Sequence, residues 1–396
     1  MAITDLPKML KKPLDAAGPS FNKHDLDRDS FMLRGALAKQ GFDLWRHCFH
    51  GVSETTGKER SFTIDFGGVN PQLREDEPVF SREDEKPSFF MVLATVGGED
   101  GSVLVRYFPW DSVSIGTEMD VLASAEDCFL SETRTMGRIK VTSEMVEKNP
   151  LDYSEAGNLI WDLKINKRVA LNLGYSTSGP LRDSEIMDAY WHTEGLITEY
   201  SGEIEWNGEK YKVKPENSNG YADKVWGKTA GPSWDYISCS NLTSKKNGRL
   251  KNSAFAFGEG TKVKVGTIDT EKALAGGIFL DGETYEYNFS NMWMLTRSKT
   301  SVKQNGKKYL FEIEEETPLS RVRLKVICDK TQMREFNCGT TAGTRRKVLV
   351  DGNGKAEMIL ERKKVSLKNK WEWETVDVLK GENVFVSYMD NKTYKK

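Results

Sequence analysis

Histidine is scarce in this sequence, with four in 396 residues, at 24, 47, 50 and 192. That number leaves no room for a multi-histidine metal centre. Cysteine is scarce as well: Cys48, Cys128, Cys239, Cys328 and Cys338 are odd in number, scattered and without CxxC spacing. Such usage suits a reducing compartment rather than a disulfide framework. No GxxxxGK[ST], no GxGxxG opening a helix and no HExxH occurs, so nucleotide binding and zincin chemistry lack their usual supports. Residues 1–18 contain no apolar h-region, and nowhere do about 18 apolar residues run consecutively. The expectation is a soluble, cytoplasmic protein with no integral membrane segment. Charge of neither sign prevails, at 57 Lys plus Arg against 59 Asp plus Glu, and nucleic acid is not an expected partner.

Aromatic residues, by contrast, are plentiful: ten Trp, thirteen Tyr and eighteen Phe. Large aromatics suit pleated, half-buried sheets. The length exceeds what one core usually serves, which predicts two domains. Residues 1–30 are polar and carry Pro13 and Pro19, as an arm lying on the surface would. From 31 onward short apolar runs alternate with turns. Leu44–Phe49 and Ser61–Phe66 read as a hairpin around Thr55–Lys58, and 71–86 reads as a long polar loop, a rim or lid. Strands follow at 89–94, 103–108, 158–163 and 168–173, while 119–146 stays open between strand and short helix and 176–188 reads as a loop. Asn207-Gly208 between two alternating runs is a strong hairpin signal, because both central residues of a type I′ turn need positive φ. Further turn dipeptides punctuate the second half, as an antiparallel meander requires. Trp371 and Trp373 share one strand face and read as core.

A weak internal repeat links the strand near Trp45, its Gly57 turn and Ser61–Gly67 to the strand near Tyr236, its Gly248 turn and Ser253–Gly258. The fold class read from these patterns is all-β with two similar antiparallel units, residues 31–228 and 229–396, joined near 227–233.

Between the units runs Gly220-Tyr-Ala-Asp-Lys-Val-Trp-Gly227, followed by Pro232, Trp234 and Tyr236. Asp223, Lys224 and, across the intervening hairpin, His192 and Glu194 could face aromatic walls. A carboxylic acid desolvated among aromatics gains a raised pKa and can protonate an apolar substrate near neutrality, while indole faces stabilise a developing carbocation. The same residues equally suit a structural corner in which glycines turn and Trp226 plugs a barrel end. His47 and His50, three apart on a strand, point to opposite faces and make a poor metal pair.

The run 220–227, with Pro232, Trp234 and Asn241, resembles the Tyr-x-(Asp/Glu)-Lys-(Asn/Asp)-Trp-Gly signature of tocopherol cyclases. A related motif marks carotenoid 1,2-hydratases and lipocalin-like Diels-Alderases. Trp191-His192-x-x-Gly195, the Tyr200–Ile204 strand and Phe42-x-x-Trp45 are similar to family segments too, over roughly residues 31 to 260. The resemblance implies two lipocalin-like barrels and a cofactor-free pocket for a hydrophobic small molecule, turned over by a cyclase, hydratase or isomerase working through proton transfer. Asp223 would be the acid or its orienter, Lys224 its charge partner and His192 a second proton donor. Trp226, Trp234 and Tyr236 would form the pocket wall, with Tyr221, Trp45 and Asn241 among the binding residues. Val225 stands where relatives carry Asn or Asp, so either the substrate differs or the activity is lost; a carrier or sensor of a lipidic ligand is the alternative. The oligomeric state, including a homodimer, stays open.

Overall fold

The structure is a computed structural model that describes residues 21–22, 29–72, 76–80, 86–118, 121–176, 187–229, 234–265, 268–291, 294–365 and 370–394. Strands supply nearly all of its regular structure. A 13-stranded sheet gathers the strands from Phe21 to Gly227, and a 12-stranded sheet gathers those from Trp234 to Tyr394, so the chain is all-β with two barrel-like domains. No helix among the described residues is long and apolar enough to cross a membrane.

The two sheets begin and close alike. Phe42–Ser53 pairs forward with Glu59–Val69 and, on its other edge, with Gly220–Gly227. Trp234–Cys239 pairs forward with Ser253–Val265 and, on its other edge, with Trp371–Tyr394. This shared plan is the structural content of the internal repeat. Asn207 and Gly208 adopt φ of 51° and 86° and join Ala189–Trp206 to Glu209–Val213, as the hairpin signal requires.

Each sheet encloses its own apolar core. Trp45, Phe49, Phe62, Phe66 and Trp161 fill the first, and Phe255, Phe257, Tyr287 and Phe311 the second. A third cluster lies between them, where Trp191, Tyr221 and Val225 meet Ala254, Ala256 and Phe385. The strands that contribute to it are therefore covered on both faces. All eight residues of 220–227 are buried, so its polar side chains must find partners inside the protein.

Several expectations need revision. Phe21–Asn22 pairs with Ala170–Leu171, and Asp29 is 1 % exposed, so these parts of the N-terminal segment are built into the fold rather than lying over it. The ambiguous stretch resolves into Val121–Ala125, Cys128–Leu130, Arg134–Val141 and a short helix, Ser143–Lys148, whose Thr142 side chain accepts from Met145 N. The two runs at 158–163 and 168–173 belong to one strand, Gly157–Leu171, with register shifts near 167–171. Most of the loop expected at 176–188, and residues 73–75 and 81–85 of the 71–86 loop, lie outside the described residues. Trp371 is 63 % exposed rather than core: sharing a face with Trp373 does not by itself provide a layer that covers it. All five cysteines are free thiols.

Candidate functional site

Residue alternation along 220–227 sorts its side chains into two different environments. Ala222, Lys224 and Trp226 point with Trp45 and His47 into the first barrel. Tyr221, Asp223 and Val225 point with Leu44, Arg46 and Cys48 toward the second sheet. The close approach of neighbouring backbone fixes both ends of the strand. A Cβ on Gly220 would stand 2.3 Å from Thr198 O, and one on Gly227 2.3 Å from Asp188 O.

Inside the first barrel, Lys224 is fully buried; its Nζ donates to Asp43 and stands 3.7 Å above the Trp45 ring. Burial pushes the Lys224 ammonium down and the Asp43 carboxyl up, with the pair's mutual attraction opposing both shifts. His192 lies 3.1 Å from Asp29 and packs edge-on against Trp226. Lys167 donates to Asp29, Glu132 and Glu194 at 3.0, 3.1 and 2.7 Å. Burial alone would lower its pKa, and the three carboxylates outweigh that and raise it. His47 meets Tyr200 OH at 2.9 Å, and its pKa is lowered to about 3 by burial and by Lys167. His50, on the opposite face, meets Gly352 O of the second sheet at 2.7 Å.

The interdomain face carries a different set. Arg46 donates through Nε and Nη2 to both oxygens of Asp65, its cross-strand partner. Asp223 accepts from Trp191 Nε1 at 3.1 Å and from Tyr221 OH at 2.9 Å. Burial raises its pKa to about 6, against the pull of the nearby Arg46 and these two donors.

A narrow cleft, open to solvent at its mouth, separates the sheets here. Leu44, Met91, Leu93, Val225, Phe336 and Met389 make its walls, Trp234 and Tyr236 close one side, and Arg46 and Asp65 supply polar groups. Adjoining it is a much smaller chamber, with room for about one water-sized group, lined by Tyr221, Asp223, Thr63, Ser238 and Asp351, among others. Arg46 and Tyr236 border both spaces.

Of the expected site residues, Trp234 and Tyr236 line the cleft, and Asp223 and Tyr221 line the chamber. Lys224, His192, Trp226 and Trp45 serve the interior of the first barrel instead. Lys224 is the partner of Asp43 and not of Asp223, since adjacent strand residues face apart. Asn241 stands past the end of its strand, where its carbonyl accepts from Glu382 N. Arg46, Asp65 and the Lys167 cluster were missed. Their signal was present: charged residues inside runs whose neighbours on both sides are apolar, as in Phe62-Thr-Ile-Asp65-Phe66, mark strands buried on both faces. Among the described residues no group of three or more His, Cys, Asp or Glu is placed to hold a metal ion.

No protein-family model matches the chain, and no curated protein does. Among solved structures, the chain is similar to an AttH candidate from Nitrosomonas europaea, at 11% identity and a TM-score of 0.44 over 95% of this chain and 99% of that one. It is also similar to CghA crystallised with Sch210972, at 12% identity and a TM-score of 0.42 over 89% of each chain.

Proposed function

We propose that this protein binds a hydrophobic small molecule in the cleft between its two sheets. The observation that carries this reading is the cleft itself, whose apolar walls come from both domains and enclose one buried guanidinium–carboxylate pair. Concave, mostly apolar space with a few convergent polar groups is the usual form of a small-molecule site. A lipophilic fluorophore titrated into the protein should bind and quench Trp234, and Met91→Arg, which places a charge at a half-buried position of the wall, should abolish binding while the unfolding midpoint stays close to that of the wild type. Full binding by the Met91→Arg protein would sink the proposal.

A second reading, turnover of that molecule by proton transfer as a cyclase, hydratase or isomerase, is favoured by Asp223. Its carboxyl, raised by burial to about 6, is an acid–base group near neutrality on this face. Lys224 and His192, which point into the first barrel, take no part in this reading. Under this reading Asp223→Asn retains ligand and loses turnover. Under simple carriage, native mass spectrometry of protein purified from its own host recovers the ligand unmodified from wild type and Asp223→Asn alike.

A further inference from the structure

The chamber behind the cleft contains polar atoms that the binding of an apolar molecule leaves unused. Asp351 is 1 % exposed; its Oδ1 accepts from Asn353 N at 2.9 Å and the Gly352 N–H also faces the carboxyl, while its Oδ2 makes no hydrogen bond of ordinary geometry. The Cys328 thiol beside this carboxyl is only a weak donor. Ser238 is 2 % exposed, and its Oγ has no partner. Both residues line the chamber with Asp223 and Thr63. Buried polar groups of this kind are nearly always satisfied, by protein, by an ordered water or by a ligand that takes the water's place.

The charges present restrict what that ligand can be. Arg46 is the guanidinium at the border, and Asp65 neutralises its charge through Nε and Nη2. Asp223 and Asp351 add two further carboxyls, each raised by burial to about 6. A carboxylate or phosphate head would meet these acids with no uncommitted cation to receive it. A hydroxyl fits instead, because one O–H donates to a carboxylate oxygen while its own oxygen accepts from a serine hydroxyl. Asp351 Oδ2 and Ser238 Oγ supply that acceptor and that donor.

We infer that the molecule bound in the cleft carries a hydroxyl head, which passes between Arg46 and Tyr236 into the chamber and bonds Asp351 and Ser238. The inference rests on the cleft-binding reading above and assigns the ligand to a class, an apolar alcohol or phenol. Calorimetric or fluorescence titration with 1-decanol, decyl methyl ether and decanoate tests it. The alcohol should bind roughly 10- to 100-fold tighter than the ether, the range of a hydrogen bond to a charged acceptor. Decanoate should bind most weakly. Ser238→Ala and Asp351→Asn should each remove most of the alcohol's advantage while leaving the ether's affinity unchanged. Unfolding midpoints of both variants, and the agreement of two chemically different substitutions, separate this effect from misfolding. Equal binding of alcohol and ether, or tightest binding of decanoate, overturns the head-group assignment and leaves the cleft reading standing. If none of the three binds, both readings fall.

Discussion

Lys224 and Asp43 have no water to turn to if either is lost. Asp43→Leu should destabilise the fold by about 3–5 kcal/mol, the usual cost of stranding a buried charge, whereas Asp43→Leu with Lys224→Met should recover much of it. Urea denaturation midpoints of the two variants check this. Asp223 gives a pH signature of its own. Its pKa rises from 3.8 unfolded to about 6 folded, so its contribution to stability is fully present below the unfolded value and is lost as pH rises through the folded one. Relative to Asp223→Asn, the wild-type protein should lose about 3 kcal/mol between about pH 3.5 and pH 7, since each pH unit separating the folded from the unfolded value is worth about 1.36 kcal/mol. Matched denaturation curves at the two pH values, with no change in the difference, would refute the assignment. Alternation separated His47 from His50 in the sequence; the same rule parts Asp223 from Lys224, which the resemblance had paired, and Lys224 meets Asp43 instead. The sequence did not say that both faces of that strand are buried, and this is what makes each of these residues need a partner.

At the scale of the element, the strand 220–227 fits because glycine stands at both ends, where neighbouring backbone leaves no space for a Cβ. Gly227→Ala should cost roughly 1–3 kcal/mol, as overpacking does, and should loosen the strand from Ala189–Trp206. Amide hydrogen exchange at 221–226 would report that loosening, and unchanged protection would contradict it. Hairpins such as 202–213 were legible because turn chemistry is local and Asn-Gly has few alternatives. Trp371 was not, because alternation says which residues share a face and not whether a second layer covers that face. The stretch 119–146 was ambiguous for a related reason. Its strands are short, between three and eight residues, too few for a period to emerge before the next turn.

At the scale of the whole molecule, Ala254 and Ala256 let the sheets approach beside the cleft, and neither has accessible surface. Ala256→Leu should force them apart, cost roughly 1–3 kcal/mol and weaken binding of a lipophilic probe. Calorimetric unfolding with a parallel probe titration tests both consequences, and a variant with undiminished binding would argue that the cleft is not the site. The all-β, two-unit plan was readable from the spacing of repeated strands and turns. The cleft was not readable, since it is made by residues from 42 to 389 that meet only once both sheets exist. The closing pairs of those sheets also set a timetable for synthesis. Phe42 pairs with Gly227, and Trp234 with Met389, so each opening strand leaves the ribosome about 150 residues or more before the strand that covers its other edge. Until then a long, apolar edge stands unpaired, open to other nascent chains. Contacts this distant in sequence form late. Yield in the cell should therefore depend on elongation rate and on chaperones that shield strand edges, more than on the stability of the finished fold.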